Sequence, residues 1–557
     1  MQVIYRPPIR QTPVTERVLD TLAQRLGNWF PVAVAAAIPI VFLPNLVDAY
    51  ILPRASLVIA GACLGTGLAL LVPGPGSLGA LRWPLVAAVL AAVMAFAFSV
   101  SWPLSAIGGY TRYESLPTRL AYLGLLAMPV WLLRTPRPRA LIVVAVVLGA
   151  TVSSLWAISQ TGAPFRPDGN LGNANLLGAL IAIAMPLCVS QMLRPGWAAI
   201  GAWVCAPLMV WGLILSTSRS GAIAALAGCL ALLALSLRGR ASVIAAGAGV
   251  LVVGAAIAVI LLSPLRDLNG DPGPTRVHLY QDALHMVATR PITGWGEEAT
   301  GLVFGGFLSG DWSPGVTFDR AHSGVLDLGA TQGLLGLGAT GWLLLVVGRG
   351  MWANRFATSE AVIRRRLISS VPVAAVASAL VAYTVWVLFN FDWSPVTGVF
   401  WLLAGTGWSM AHATDPHAAR ATSTWTALAT AERLAGAAAL VAVTLAFAVL
   451  PVLAEAWYAN GRPDLAIRVD PLQAQYRRAL GEALIQQGSN SDGLEQLRLA
   501  ASLGETDPAL YVELGDAELA AGNIDDARAD YRRALQIDPY WAPAKRRLSG
   551  QGGLGTA

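Results

Sequence analysis

The chain is a succession of apolar segments, each about 17 to 25 residues long, and this pattern limits its fold more than any other feature. A segment of about 20 apolar residues has the length of a helix that crosses the hydrocarbon core of a bilayer. Composition agrees, because 55% of the residues are hydrophobic and only 13% are charged. We therefore predict an all-α, polytopic helical membrane protein with about 13 spans. The predicted spans cover residues 30–44, 53–72, 83–100, 119–134, 140–158, 174–192, 197–215, 220–237, 242–262, 324–348, 370–389, 395–412 and 434–456.

Arginines predict how these spans are oriented. Residues 1–28 form a basic arm before a first span that lacks a small-residue cleavage site, so we interpret that span as retained. Further arginines lie in alternate loops, at 134–139, 194, 238–240 and 349–366. Short loops rich in positive charge stay in the cytoplasm, so we predict a cytoplasmic N-terminus. The long loop 263–322 and the C-terminal domain are then extracytoplasmic.

Neither the net charge nor the cysteines point to another class of protein. The charge of +6 comes from arginines that follow the predicted topology and form no solvated basic patch, so we expect no nucleic-acid partner. The four cysteines all lie inside predicted spans, where they act as small apolar residues. We predict no disulfide framework, no metal site and no cofactor. These cysteines are Cys63, Cys188, Cys205 and Cys229.

A repeat begins where the apolar segments stop, after the membrane domain at 29–456. Leu480 recurs as Leu514, and Gly488 recurs as Gly522, which is the 34-residue period of tetratricopeptide helix pairs. We predict tetratricopeptide-like helices over 457–550, followed by a flexible tail at 551–557. Two roles for the repeats stay open: a structural cap, or a docking surface for a protein partner or an acceptor.

Two of the predicted outer loops carry arginine among residues suited to ligands. Arg112 lies between Tyr110 and Tyr113, an arrangement that stacks on a sugar, holds a phosphate, or simply anchors the loop at the interface. Arg166 precedes a glycine- and asparagine-rich turn at the start of a span, where backbone N–H groups favour an anion. That turn is also typical of an ordinary helix cap.

Other arginines and a histidine lie further along the same predicted face. Arg219 follows a turn of only a few residues, so it faces either an anionic ligand or lipid headgroups. Arg276 opens an amphipathic stretch at 275–290, in which we interpret His278 and His285 as solvated or structural. His322 differs, because it stands where the long loop re-enters the membrane. A neutral imidazole there accepts a proton from a hydroxyl, unless it only caps the helix.

The order of these motifs resembles the superfamily of O-antigen ligases, O-antigen polymerases and protein O-oligosaccharyltransferases. The motifs are RPDGNLGNANLLG, STSRSG, TRVHLYQDALHMVATRPITGWG and DRAHSGVLDLGATQGLLGL, and they span roughly residues 100 to 345. Members of the superfamily commonly have asparagine directly after the histidine, whereas this chain has Ser323.

The resemblance implies a glycosyltransferase of polysaccharide biosynthesis in the bacterial cytoplasmic (inner) membrane. It would move a glycan from an undecaprenyl-diphosphate donor to a hydroxyl of a lipid, glycan or protein acceptor, among membrane lipids and without a metal. His322 is the implied catalytic base. The chain has no Asp-x-Asp motif in its membrane portion, and we interpret the pair Glu297 and Glu298 as solvated loop residues. By motif, the resemblance implies that Arg219, Arg276 and Arg166 hold the diphosphate, and we add Arg320 and Arg112 to the predicted residues for the diphosphate or glycan.

Two rival functions come from other classes. A transporter of lipid-linked saccharides would carry charges along a path through several spans, and the predicted spans are nearly free of ionisable residues. A non-catalytic scaffold that presents the repeats is the second rival, and a transfer assay separates it from an enzyme. The motifs do not separate ligase, polymerase and protein-glycosylating enzyme.

Overall fold

The computed structural model describes residues 14–72, 74–263, 273–413 and 430–550, so the predicted flexible tail at 551–557 lies outside it. Most of the described chain is helical, and each predicted span overlaps one helix. The membrane domain comprises α1 (Val14–Ile40), α2 (Ile51–Leu71), α3 (Arg82–Ala97), the short α4 (Trp102–Ile107), α5 (Leu116–Leu132), α6 (Pro136–Ser159), α7 (Ala174–Met192), α8 (Trp197–Ser216), α9 (Arg219–Ser236), α10 (Arg240–Leu262), α11 (Gly273–Thr289), α12 (Gly324–Ala353), α13 (Val373–Val387), α14 (Ser394–Ala411) and α15 (Thr430–Ala459).

Hydropathy and length confirm a polytopic helical membrane protein. Within the described ranges, 9 helices are long and apolar enough to cross a membrane, and α5 and α13 are shorter apolar helices. Helix α10 leaves most of its surface outside the protein core, as expected for a helix that faces lipid. Helix α7, by contrast, is largely buried among its neighbours.

One predicted span is broken. Helix α12 contains Gly333 at φ 65° and ψ −159°, so its two halves are separate helical segments. Residues 291–296 fill the break: Pro291 O accepts from Leu334 N at 2.7 Å, and Trp295 N donates to Ala330 O at 2.8 Å. The exposed backbone groups of both halves thereby find partners, which an apolar environment requires.

Within the described residues, the structure departs from an all-helical chain at one place. Between α12 and α13 lies an antiparallel hairpin of β1 (Thr358–Ile363) and β2 (Arg366–Pro372), within and just after the arginine-rich stretch at 349–366. Its two-residue turn is formed by Arg364 and Arg365, both with positive φ. Such a turn matches the twist of paired strands.

The loops lie at the two ends of the helix bundle, as expected if successive loops alternate between the two sides of a membrane. At the end that we call the loop end, Val100 N donates to Trp295 O at 3.1 Å, and Gly324 N donates to Asn390 O at 2.8 Å. At the opposite end, which we call the hairpin end, Arg139 Nε donates to Ser409 Oγ at 3.1 Å. The arginine-rich loops lie at the hairpin end.

The chain ends in a helical array that we call the repeat tail. It comprises α16 (Pro463–Val469), α17 (Ala474–Gln486), α18 (Asn490–Ser502), α19 (Pro508–Ala520), α20 (Ile524–Ile537) and α21 (Ala542–Leu548). Its core includes Tyr511, Leu514, Tyr531 and Ala534, at positions that the period predicts. Leu104 and Leu302 of the membrane domain belong to the same core, so the tail packs directly on the loop end.

Candidate active site

A cavity of about 380 Å³ opens at the loop end. Its walls come from four parts of the chain: the loop after α4, the start of α7, helix α11 with the loop before α12, and the segment between α13 and α14. A larger cavity of about 720 Å³ lies between α9, α10, α12 and α13, but aliphatic side chains line nearly all of it. The smaller cavity, by contrast, is lined by charged and polar side chains. The lining residues that carry polar or aromatic groups include Arg112, Asn173, Asn175, Arg276, Phe318, His322, Asn390, Phe391 and Trp393.

His322 lines this cavity in a strained backbone conformation. Its φ is 54°, a left-handed value that costs a non-glycine residue about 1–2 kcal/mol. The imidazole meets Phe318 and Phe391 edge-on, with ring centroids 6.5 and 5.4 Å away. Neighbouring bonds hold the backbone, because Ala321 N donates to the buried Asp327 carboxylate at 2.8 Å. Loop and helix together fix where the histidine lies.

Arg112 borders the same cavity through a chain of ion pairs. Its Nε lies 3.1 Å from Asp319 Oδ2, and its guanidinium stacks over Phe391 and Trp393, with each ring centroid 4.9 Å away. Burial alone would raise the pKa of Asp319, but the nearby cations, Arg112 first, outweigh burial and lower it. Asp319 is therefore ionised at neutral pH and fixes the orientation of Arg112.

Arg276 and the start of α7 add positive potential to the cavity. Arg276 Nη1 donates to Phe389 O at 2.7 Å, which holds the side chain against the segment before α14. Asn173 caps α7, because its side-chain oxygen accepts from Asn175 N at 2.8 Å. A helix N-terminus attracts anions. Two guanidinium groups and this helix start therefore make the cavity suited to a negatively charged ligand.

Comparison with known proteins identifies the segment that holds much of this cavity. Residues 204–341 match the family model of O-antigen ligases. Residues 508–541 match a tetratricopeptide repeat. The resemblance and the repeat tail predicted from the motifs are thus confirmed, and a search of curated proteins finds no match. The segment matched by the O-antigen ligase model contains Arg219, Arg276, Arg320 and His322.

Arg320, within the matched segment, is buried beside the cavity but does not line it. It pairs with Glu298 and stacks over Phe391, whose ring centroid lies 5.2 Å away. Burial lowers the pKa of Arg320, yet the neighbouring carboxylates, Glu298 first, outweigh burial and raise it. Arg320 is therefore a permanent cation that ties the histidine loop to the segment after α11.

Arg166 and Arg219 lie on either side of a turn next to the cavity. Arg166 Nη2 donates to Ser216 O at 2.8 Å, and its Nε donates to Thr217 Oγ1 at 3.0 Å. Arg219 follows as the first residue of α9, within the matched segment and outside the lining of the cavity. Asn175 connects the turn to the cavity, since its Oδ1 accepts from Ser218 Oγ at 3.2 Å. Arg166 thus holds the turn that precedes Arg219.

The prediction that Glu297 and Glu298 are solvated is wrong. Both are buried and ion-paired, Glu298 with Arg320 and Glu297 with Arg119 of α5 at 3.1 Å. Arg119 also pairs with Asp392, next to two aromatic residues of the cavity. A second buried charge network therefore lies next to the site. The sequence shows its acidic residues but does not reveal which cation comes from another helix.

Ser323 and helix α11 also have defined environments in the structure. Ser323 is buried at the start of α12, but its side chain makes no capping hydrogen bond in the described structure. Helix α11 forms where amphipathicity predicts it, yet it buries Leu279 and Met286 and leaves Val277 and Leu284 exposed. The ring of His278 stacks on that of Trp312, with centroids 3.8 Å apart, which gives His278 a structural contact.

Among the residues that the structure describes, no group of three or more His, Cys, Asp or Glu side chains is arranged to hold a metal.

Proposed function

We propose that this protein is a metal-independent membrane glycosyltransferase that moves a glycan from an undecaprenyl-diphosphate donor to an acceptor hydroxyl. The observation that carries the proposal is the convergence of His322, Arg112 and Arg276 on one cavity beside the O-antigen ligase match. A general base and fixed cations are the groups that transfer from a diphosphate needs. Here guanidinium groups supply the positive charge.

The proposed reaction is one displacement at the anomeric carbon of the donor sugar. The acceptor hydroxyl gives its proton to a ring nitrogen of His322 while its oxygen bonds to that carbon. The bond between this carbon and the diphosphate oxygen breaks, and the electron pair leaves with the lipid diphosphate. Arg112, Arg276 and the N-terminus of α7 stabilise the departing charge. Removing one such donor costs about 10²- to 10³-fold in rate in other enzymes.

The remaining arginines receive supporting roles in this proposal. Arg219 extends the anion-binding surface along the start of α9, and Arg166 holds the turn that carries it. Arg320 fixes the histidine loop through Glu298. We expect Arg166→Ala to slow transfer while His322 stays in place, and equal transfer by this variant and the wild type would contradict the role.

We infer that the loop end faces outward from a bacterial inner membrane and that the N-terminus is cytoplasmic. The arginine-rich loops at the hairpin end support this orientation. A cysteine placed at exposed Asp311, in a chain without its native cysteines, should react with an impermeant thiol reagent on intact spheroplasts. Reaction only after lysis would reverse the orientation.

The transfer experiment uses purified protein, a labelled undecaprenyl-diphosphate oligosaccharide and three acceptors: a lipid core, a free glycan and a peptide. Release of lipid diphosphate together with labelled acceptor supports the proposal. The acceptor that works separates ligase, polymerase and protein O-oligosaccharyltransferase. Bound donor that is never consumed with any acceptor would instead favour the non-catalytic scaffold.

A further inference from the structure

Three separate parts of the chain meet on one buried carboxylate, that of Glu455 near the end of α15. Its Oε1 accepts from Asp48 N in the loop after α1 and from the Tyr110 hydroxyl, each at 2.8 Å. Its Oε2 accepts from the hydroxyl of Tyr476, in α17 of the repeat tail, at 2.8 Å. One side chain therefore joins the membrane domain, the loop that carries Arg112, and the tail.

The chemistry of this junction makes it rigid. A buried carboxylate is costly unless hydrogen bonds satisfy it, and Glu455 receives three. Burial, followed by the charge of Glu455, raises the pKa of Tyr110 and Tyr476, so both phenols stay protonated and donate. The rings of Tyr110 and Tyr458 also meet edge-on at 6.2 Å. Loss of either phenol hydroxyl leaves the carboxylate short of a donor.

A tight turn connects this junction to the cavity. Thr111 and Tyr113 both have left-handed backbone, with φ of 66° and 56°. Arg112 lies between them, and its N donates to Gly109 O at 3.0 Å. Few backbone conformations satisfy two strained positions on either side of one residue, so a fixed Tyr110 sets the path of Arg112.

The other end of the tail holds the second loop of the site. Thr317 Oγ1 donates to Asp538 Oδ2, after α20, at 3.0 Å. Thr317 lies two residues before Asp319, which pairs with Arg112. The two ends of the repeat tail thus attach to the two loops whose ion pair borders the cavity.

We propose that the repeat tail is a positioning element for the cavity: Tyr476, through Glu455 of α15, holds one loop and Asp538 holds the other, so that Arg112 and His322 face one substrate. This proposal rests on the proposed function and extends it. Tyr110, Tyr476 and Glu455 act through Arg112 and are positioning residues. The tail is then part of the site, whatever else binds to it.

The activity test uses Tyr110→Phe and Tyr476→Phe, each in wild-type and Arg112→Ala backgrounds. The matched control is Tyr458→Phe, whose hydroxyl contacts Gln475 in the same aromatic cluster. In the wild-type background we expect kcat/KM to fall by about 10- to 100-fold, because a misplaced group costs that much. In the Arg112→Ala background the further loss should be under about twofold, since the two positions are coupled. Equal losses in both backgrounds would overturn the proposal.

A second measurement does not depend on activity. Hydrogen exchange of peptides 107–113 and 313–322 should quicken in full-length Glu455→Gln but not in Tyr458→Phe. If Glu455→Gln does not insert, Thr317→Val offers the same test at the other end of the tail. Unchanged exchange in these peptides would refute the positioning role. Absence of transfer by the wild type would count only against the proposed function.

Discussion

Replacement of Gly333 by alanine is a direct test of how the broken helix α12 supports the site. Gly333 has a φ of 65°, and a Cβ built there lies 2.4 Å from Ile292 O and 2.7 Å from Pro291 O. Backbone atoms cannot swing aside as a side-chain end does, so the loop must move. The segment that moves leads into Glu297 and Glu298, which hold the charge networks beside the cavity.

The size of the effect follows from two terms. Left-handed backbone costs alanine about 1–2 kcal/mol more than glycine. A displaced loop also loses the bonds from Leu334 N to Pro291 O and from Leu335 N to Ile292 O, worth about 1 kcal/mol each. The sum, about 3–4 kcal/mol, corresponds to roughly 10²- to 10³-fold faster opening of the break.

Hydrogen exchange measures this opening at the amides of Trp295 and Gly296, which donate to the first half of α12. The matched control is Gly338→Ala in the same helix, where nothing lies within 4 Å of the added Cβ. Alanine favours an ordinary helical position by up to about 1 kcal/mol, so the control should exchange no faster than the wild type. Exchange that is equally slow in both variants would refute the account of the break.

For two other substitutions, the structure determines the direction of the expected change in stability. Arg119→Ala leaves the Glu297 and Asp392 carboxylates without their cation, so the protein should lose about 3–5 kcal/mol and melt earlier in detergent. Arg462→Ala, which removes an exposed ion pair, serves as its control, and equal melting of the two variants would contradict this. The lowered pKa of Asp319 means that its ion pairs contribute at neutral pH and are lost as pH falls below about 4. The difference in melting temperature between wild type and Asp319→Asn should therefore shrink below that pH, and a constant difference down to pH 3 would show that Asp319 does not act as an ion.

Much of the fold could be predicted because hydropathy and a repeat period are local signals. Apolar length located the spans, and the recurrence of Leu480 as Leu514 located the repeat tail. The break at Gly333 could not be predicted in this way, since its partners are backbone groups from residues 291–296. The β-hairpin could not be predicted either, because Ser359 and Ala361 are buried while Val362 and Ile363 are exposed, so hydrophobicity does not follow burial along β1.

For the site, too, the sequence indicates the candidate residues but not the distant groups that hold them. Motif order indicated His322 and Arg276, and the pattern of tyrosines around it indicated Arg112; the structure brings all three to one cavity. Their supports come from distant segments, such as Glu455, which lies 345 residues from Tyr110 in the chain. The type of charge alone does not indicate such pairing. Glu298 is an example, because the sequence analysis interpreted it as solvated whereas its side chain is buried and paired.

The proposed role of His322 as the base for glycan transfer can be tested by comparing three proteins. Purified wild type, His322→Ala and His285→Ala are compared for lipid diphosphate release from a labelled donor in nanodiscs, with chelator and a working acceptor present. His285 is an exposed histidine on α11, so its variant controls for loss of an imidazole. We expect transfer to fall by about 10²- to 10⁴-fold in His322→Ala alone, with donor binding retained, because a general base contributes that much. Transfer by His322→Ala at the wild-type rate would contradict the account.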